Sequence, residues 1–177
     1  DPIARLIRFQ TSPVYEMILS LQALMKPGAR GDWAAAARAR LSPDFLAALD
    51  TIYGPYFNGS LFFELGVDYP NHHDVPGFIR YVREMDPARF IFYGTGRIVP
   101  PEEIAATGLE PGAVREALLN SRYYNHCMCM EVPLDLILAD VPAFQRRLTD
   151  LWAWYWDVFF ADQIPALEAR WARCLND

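Results

Sequence analysis

The sequence predicts an all-α fold: one compact multi-helix domain over residues 1–177, with eight or nine helices and little or no sheet. Three observations predict it. Apolar residues recur at helical spacing along most of the chain. Ser-Pro and Asp-Pro pairs stand just ahead of several of these stripes, where Ser or Asp caps a first turn and Pro fits inside it. The chain of 177 residues is long enough to bury a real core and shows no repeat, low-complexity tract or linker.

Ile3 to Phe9 alternates in part and predicts a short strand or an extended arm. Ser12-Pro13 opens the first clear helix, through Tyr15, Ile18, Leu19, Leu21, Gln22 and Leu24, until Lys26-Pro27-Gly28 stops it. Asp32 caps a second helix, Trp33 to Leu41, whose alanines favour helix and permit close packing. Ser42-Pro43 opens a third, through Phe45, Leu46, Leu49 and Ile52 to Gly54, and the tight loop before it predicts a helical hairpin. Pro55 to Tyr69 is irregular and aromatic, with a short helix near Ser60. Asp74 caps a helix carrying Phe78, Ile79, Val82 and Met85. Asp86-Pro87 restarts another, through Phe90, Ile91 and Tyr93 to Gly94-Thr95-Gly96. Pro101-Glu102-Glu103 gives the acidic first turn of a short helix ending at Gly108, and Pro111 to about Tyr124 forms a further one. Val141-Pro142 opens a long aromatic helix, which Ile164-Pro165 kinks or breaks because proline lacks the ladder donor. Ala166 to Leu175 forms the last helix.

Charge argues against nucleic acid as a direct partner. The net charge is −6, Lys26 is the only lysine, and the arginines are scattered, so no basic face for phosphate is evident. Cys127, Cys129 and Cys174 make no disulfide framework, and so low and odd a count predicts a reducing cytoplasm. No apolar run reaches the roughly 18–20 residues of a membrane span. Asp150, Asp157 and Asp162 also interrupt the aromatic helix, so no membrane partner is expected.

Several short motifs invite a chemical reading. Asn125-His126-Cys127-Met128-Cys129 gathers soft-metal ligand types, yet no second cluster accompanies it. Core packing is the favoured reading there over metal binding and redox sensing, and no metal or cofactor is assigned. His72-His73-Asp74 would suit acid–base chemistry. The simpler reading makes Asp74 an N-cap and the histidines solvated loop residues. Neither a Gly-x-Ser-x-Gly nor a His-Glu-x-x-His motif is present, so no catalytic residue is assigned. Gly94-Thr95-Gly96-Arg97 lacks the preceding strand and third glycine of a phosphate loop, and reads as a helix C-terminus. The second and third helices do not form a DNA-reading pair, because Asp44 to Asp50 is acidic and apolar.

The stretch Trp152 to Phe160 carries the strongest signal. Period 3.6 puts Trp152, Tyr155, Trp156, Phe159 and Phe160 on one broad face, with Trp154 and Val158 to the side. So aromatic a helix must be covered on more than one side, as a core helix, a pocket wall or a subunit interface. Tyrosine hydroxyls on apolar bodies beside tryptophans are the usual make-up of a small-molecule cavity. The candidate ligand-binding residues are Tyr93, Tyr123, Tyr124, Trp152, Tyr155, Trp156 and Phe159.

Phe9-Gln10-Thr11-Ser12-Pro13-Val14-Tyr15-Glu16, followed by Ser20-Leu21-Gln22-Ala23-Leu24, resembles the opening of a helical domain found in bacterial ArsR-type (arsenical-repressor-like) regulators. In that group the domain precedes a C-terminal winged helix. Trp33 with Arg38 and Ala39, then Leu41-Ser42-Pro43 leading to Phe45, agrees with its next helices, and Leu167-Glu168 after the aromatic helix is similar to its end. The residues after Asp162 do not read as a winged helix, and Cys127-Met128-Cys129 has no recognition helix behind it, so metal sensing is not carried over. The resemblance implies a cytoplasmic effector or dimerisation domain of a transcription regulator. Its expected partners are a small apolar or aromatic ligand and a second copy in a homodimer. Two other classes stand beside it. One is a small helical enzyme using His72, His73 or His126 with Glu64 or Glu131; the other is a purely structural interaction domain.

Overall fold

Five side chains start five helices by the same local device. Ser12 Oγ accepts the Tyr15 N–H at 3.2 Å and Ser42 Oγ that of Phe45 at 3.1 Å. Asp74 accepts from Gly77 at 2.8 Å, Asp86 from Ala88 at 2.9 Å, and Asp140 from Ala143 at 2.8 Å. A proline follows each cap inside the first turn, where its missing N–H costs nothing.

The computed structural model describes residues 11–26, 28, 31–55, 57–122 and 133–176. These form α1 (Pro13–Met25), α2 (Gly31–Arg38), α3 (Pro43–Tyr53), a 3-10 segment (Phe57–Gly66), α4 (Val75–Arg83), α5 (Pro87–Gly94), α6 (Pro101–Ala106) and α7 (Pro111–Asn120). They continue with α8 (Leu134–Leu138) and α9 (Val141–Tyr155), then a π-turn (Trp156–Phe160), a 3-10 turn (Ala161–Gln163) and α10 (Ile164–Asn176). No strand occurs among the described residues, and the fold is all-α. The arm at Ile3 to Phe9 and the cysteine-rich stretch at 125–129 lie outside the described residues.

The differences from the sequence reading are local. Asp32 sits inside the first turn of α2 rather than ahead of it, where its charge still favours the helix N-terminus. That helix closes at Arg38 with tight bonds from Arg40 N to Ala37 O and from Leu41 N to Arg38 O. Arg38 also turns its guanidinium back onto the Leu24 carbonyl at 3.0 Å. α7 ends at Asn120, short of Tyr124, because Ser121 turns extended. α8 was not legible, since five residues show no period. At Gly94-Thr95-Gly96-Arg97 the chain forms a helix C-terminus, as its sequence implied. Arg97 N bonds Phe92 O at 2.7 Å, Gly96 N bonds Tyr93 O at 3.1 Å, and Gly96 takes φ 81°, the left-handed value that glycine tolerates.

α9 is the central element, packed by α3, α4, α5 and α8. Trp152 is fully buried, stacked on Phe78 of α4 at 5.4 Å and edge-on to Phe62 at 5.9 Å. Its indole N–H donates to the Tyr53 hydroxyl at 2.8 Å, so this large side chain leaves no polar atom unpaired. Gln145, also buried, donates to the carbonyls of Val82 at 2.6 Å and Met85 at 2.9 Å, and so satisfies the end of α4. Arg83 reaches the other way, to Thr149 at 3.1 Å and to Asp150. At the N-terminal half of α9, Phe144 meets Phe90 of α5 at 6.1 Å.

Candidate functional site

The regular ladder of α9 fails at its C-terminal end. Trp156–Phe160 widens into a π-turn, Ala161–Gln163 tightens into a 3-10 turn, and Pro165 offers no N–H to the turn before it. Such π-turns inside helices are frequent at functional sites. Phe159 and Phe160 face inward at this joint, while Trp154 and Val158 remain exposed. Beyond it, α10 anchors Ile164 and Leu167 against the core.

Between α10 and the pair α1–α2 lies a cleft of about 680 Å³. Glu16 and Ser20 of α1 with Asp32 and Trp33 of α2 form one wall. Leu167, Arg170, Trp171 and Arg173 of α10 form the other, and Phe160 and Gln163 close it at the joint. Two further clefts, of about 520 and 450 Å³, have no aromatic lining. The larger cleft sets three aromatic rings among six polar or charged side chains, a surface able to take a small molecule with an aromatic body, and it is the candidate.

Its charges are segregated. Both carboxylates, Glu16 and Asp32, stand on the α1–α2 wall, and both guanidiniums, Arg170 and Arg173, on the α10 wall. No ion pair found among the described residues joins the two walls.

Ser20 links the cleft to the aromatic helix behind it. Its hydroxyl donates to the Met17 carbonyl at 2.7 Å and accepts from the Tyr155 phenol at 3.0 Å. Tyr155 is fully buried, stacked between Phe45 at 5.7 Å and Phe159 at 5.5 Å. Burial pushes its phenol well above the ordinary tyrosine range, against a smaller lowering by the Ser20 bond, so it stays protonated. Trp33 meets Phe159 edge-on at 6.4 Å, Arg40 covers the same ring at 4.9 Å, and Trp156 lies 6.2 Å from Phe160.

The structure therefore distributes the sequence-predicted residues over several places. Tyr155, Trp156 and Phe159 gather around Phe160, directly behind the cleft wall, and do not themselves line it. Trp152 belongs to the centre of the core. Tyr93 sits in a separate polar cluster. Its phenol donates to Asp68 and accepts from Arg89 at 3.5 Å, with burial first and the Asp68 bond second in raising its pKa. Its helix meets α9 at Phe144, and residues 144 to 160 span roughly 24 Å of helix at 1.5 Å per residue. Tyr123 and Tyr124 lie outside the described residues.

Glu16, Ser20, Asp32, Trp33, Gln163, Arg170, Trp171 and Arg173 were missed. Part of the signal was present: Ile164, Leu167 and Trp171 share one helical face.

The histidines of the enzyme reading do not meet carboxylates where they are described. His72 Nε2 lies 2.9 Å from the Gly66 carbonyl, with its ring edge-on to Tyr15 at 4.7 Å. His73 Nε2 lies 3.5 Å from Thr11 Oγ1, and Glu64 faces Arg97 at 3.7 Å. His126 and Glu131 lie outside the described residues. Among the described residues no three His, Cys, Asp or Glu side chains cluster as a metal site would require, and no helix is long and apolar enough to cross a membrane.

Comparison with known families, characterised proteins and solved structures finds no match. The geometry of the cleft is therefore the basis for a functional reading.

Proposed function

We propose that this chain is a ligand-sensing domain that takes a small molecule with an aromatic or apolar body into the cleft between α10 and α1–α2. The observation that carries the reading is the cleft itself, lined by Trp33, Phe160 and Trp171 and placed against the π-turn. A ligand filling it would touch α10 on one side and α1–α2 on the other. It would thereby favour one placement of α10 over others, a population shift. The resemblance of residues 9–24 to ArsR-type regulators supports a regulatory setting, in which a shifted α10 would reposition attached DNA-binding units or a second subunit.

Indole and 4-methylbenzyl alcohol are suitable neutral probes. With the chain labelled at backbone and indole nitrogen, either should move the indole N–H signals of Trp33 and Trp171 and leave that of Trp152 in place. Trp33→Ala and Trp171→Ala should each weaken binding about fivefold, since both side chains are only partly buried and neither supports the core centre. Probe binding that ignores both substitutions, in variants with unchanged unfolding midpoints, would reject the cleft as the site. Sedimentation with and without indole reads whether subunit association accompanies binding.

A further inference from the structure

The segregation of charge across the cleft says more about the ligand than its aromatic lining does. Glu16 and Asp32 face the cleft from α1 and α2, Arg170 and Arg173 face it from α10, and no ion pair between them is formed. Asp32, Arg170 and Arg173 are exposed and Glu16 is half-buried, so a wholly apolar ligand would leave all four charges unused. A ligand with one charge would satisfy one wall and be repelled by the other. The Ser20 hydroxyl already donates to Met17 and accepts from Tyr155, so the charged side chains and the Gln163 amide carry the polar recognition. Trp33 stands beside Asp32 on the acidic wall, and a tryptophan face attracts an organic cation. The paired guanidiniums suit a carboxylate, which an arginine can hold by two parallel hydrogen bonds.

We infer that the ligand is a zwitterion with its charges at opposite ends of an aromatic or alkyl body, its ammonium directed to Glu16 and Asp32 and its carboxylate to Arg170 and Arg173. This rests on the cleft being the ligand site, and it replaces a merely apolar ligand with a bipolar one. An α-amino acid, whose two charges share one carbon, fits the arrangement less well than a molecule with separated ends.

A set of matched probes tests it on the full chain. 4-(Aminomethyl)benzoate carries both charges, benzylamine the cation alone, 4-methylbenzoate the anion alone and 4-methylbenzyl alcohol neither. Affinity is read from the indole signals of Trp33 and Trp171. The zwitterion should bind about fivefold more tightly than any of the other three, an increment typical of one added charge contact at a partly exposed site. The double variant Glu16→Gln/Asp32→Asn should reduce the zwitterion to the level of 4-methylbenzoate, and Arg170→Gln/Arg173→Gln to the level of benzylamine. If the neutral probe binds as well as the zwitterion, the cleft remains the site and the bipolar ligand is overturned. The same holds if either singly charged probe equals the zwitterion. If no probe moves either tryptophan, both readings fall. The comparison of probes on the unaltered chain decides the question even if a variant folds poorly.

Discussion

Two buried tyrosines hold the polar atoms of the core in balance. The Tyr53 hydroxyl accepts the Trp152 indole N–H at 2.8 Å, and the Tyr155 hydroxyl donates to Ser20 at 3.0 Å. Tyr53→Phe leaves the indole donor of a fully buried Trp152 without its acceptor, which should cost about 1–3 kcal/mol in urea unfolding. Tyr155→Phe removes a donor but leaves Ser20 bonded to Met17, and should cost about 1 kcal/mol. Both phenols have their pKa raised, chiefly by burial. In the unfolded chain they ionise near about pH 10. The folded chain therefore keeps protons that the unfolded chain loses. The stability this represents is complete below pH 10 and declines as pH rises beyond it. Urea midpoints measured from pH 8 to 11 should fall above pH 10, and the double variant Tyr53→Phe/Tyr155→Phe should fall less steeply. An equal slope in both chains would contradict this account. These hydroxyl partners were not legible in the sequence, because the tyrosine–tryptophan and tyrosine–serine pairs join residues far apart along the chain.

At the scale of the element, the helix starts were the most legible feature. Ser12, Ser42, Asp74, Asp86 and Asp140 cap because each side chain reaches N–H groups only two or three residues ahead, and nothing distant is needed to aim it. The start of α4 shows how tightly such a cap can be built. A methyl group on Gly77 would collide with the Asp74 carboxylate and with the Tyr69 hydroxyl that donates to it at 3.4 Å. Gly77→Ala should therefore destabilise the protein by about 1–3 kcal/mol, against the small gain alanine brings to an open helix site. Thermal unfolding of the variant checks the sign. The joint at the end of α9 was only partly legible. Ile164-Pro165 announced a break, and Pro165 does sit at one. The π-turn before it carries no local signal of its own.

For the whole molecule, stability should follow the distribution of packing. α9 packs against α3, α4, α5 and α8, meets α1 through Tyr155 and Ser20, and contributes the buried Phe144, Leu148, Leu151, Trp152 and Tyr155. α10 leans on the core through Ile164 and Leu167, Trp171 is half-buried, and Pro165, Ala166, Glu168, Ala169, Arg170, Ala172 and Arg173 are exposed. Amide hydrogen exchange should be slowest in residues 144–155 and fast in 166–176, because local opening follows burial. Addition of 4-(aminomethyl)benzoate should slow exchange in α10 and leave α9 unchanged. Equal protection of the two helices in the free chain would refute this ranking.

The sequence by itself determined the all-α class, most helix starts and the presence of an aromatic helix that had to be covered. These follow from capping and periodicity, which act over a few residues. The tertiary structure decided what each aromatic side chain does. The 3.6-residue period assigns Trp152, Tyr155, Trp156 and Phe159 to a face but does not name the element opposite. α3, α4 and the 3-10 segment surround Trp152, so it became core. The cleft draws Glu16 to Trp33 and Phe160 to Arg173 from the two ends of the chain. Only long-range packing can bring those segments together, because no local rule links residues so far apart.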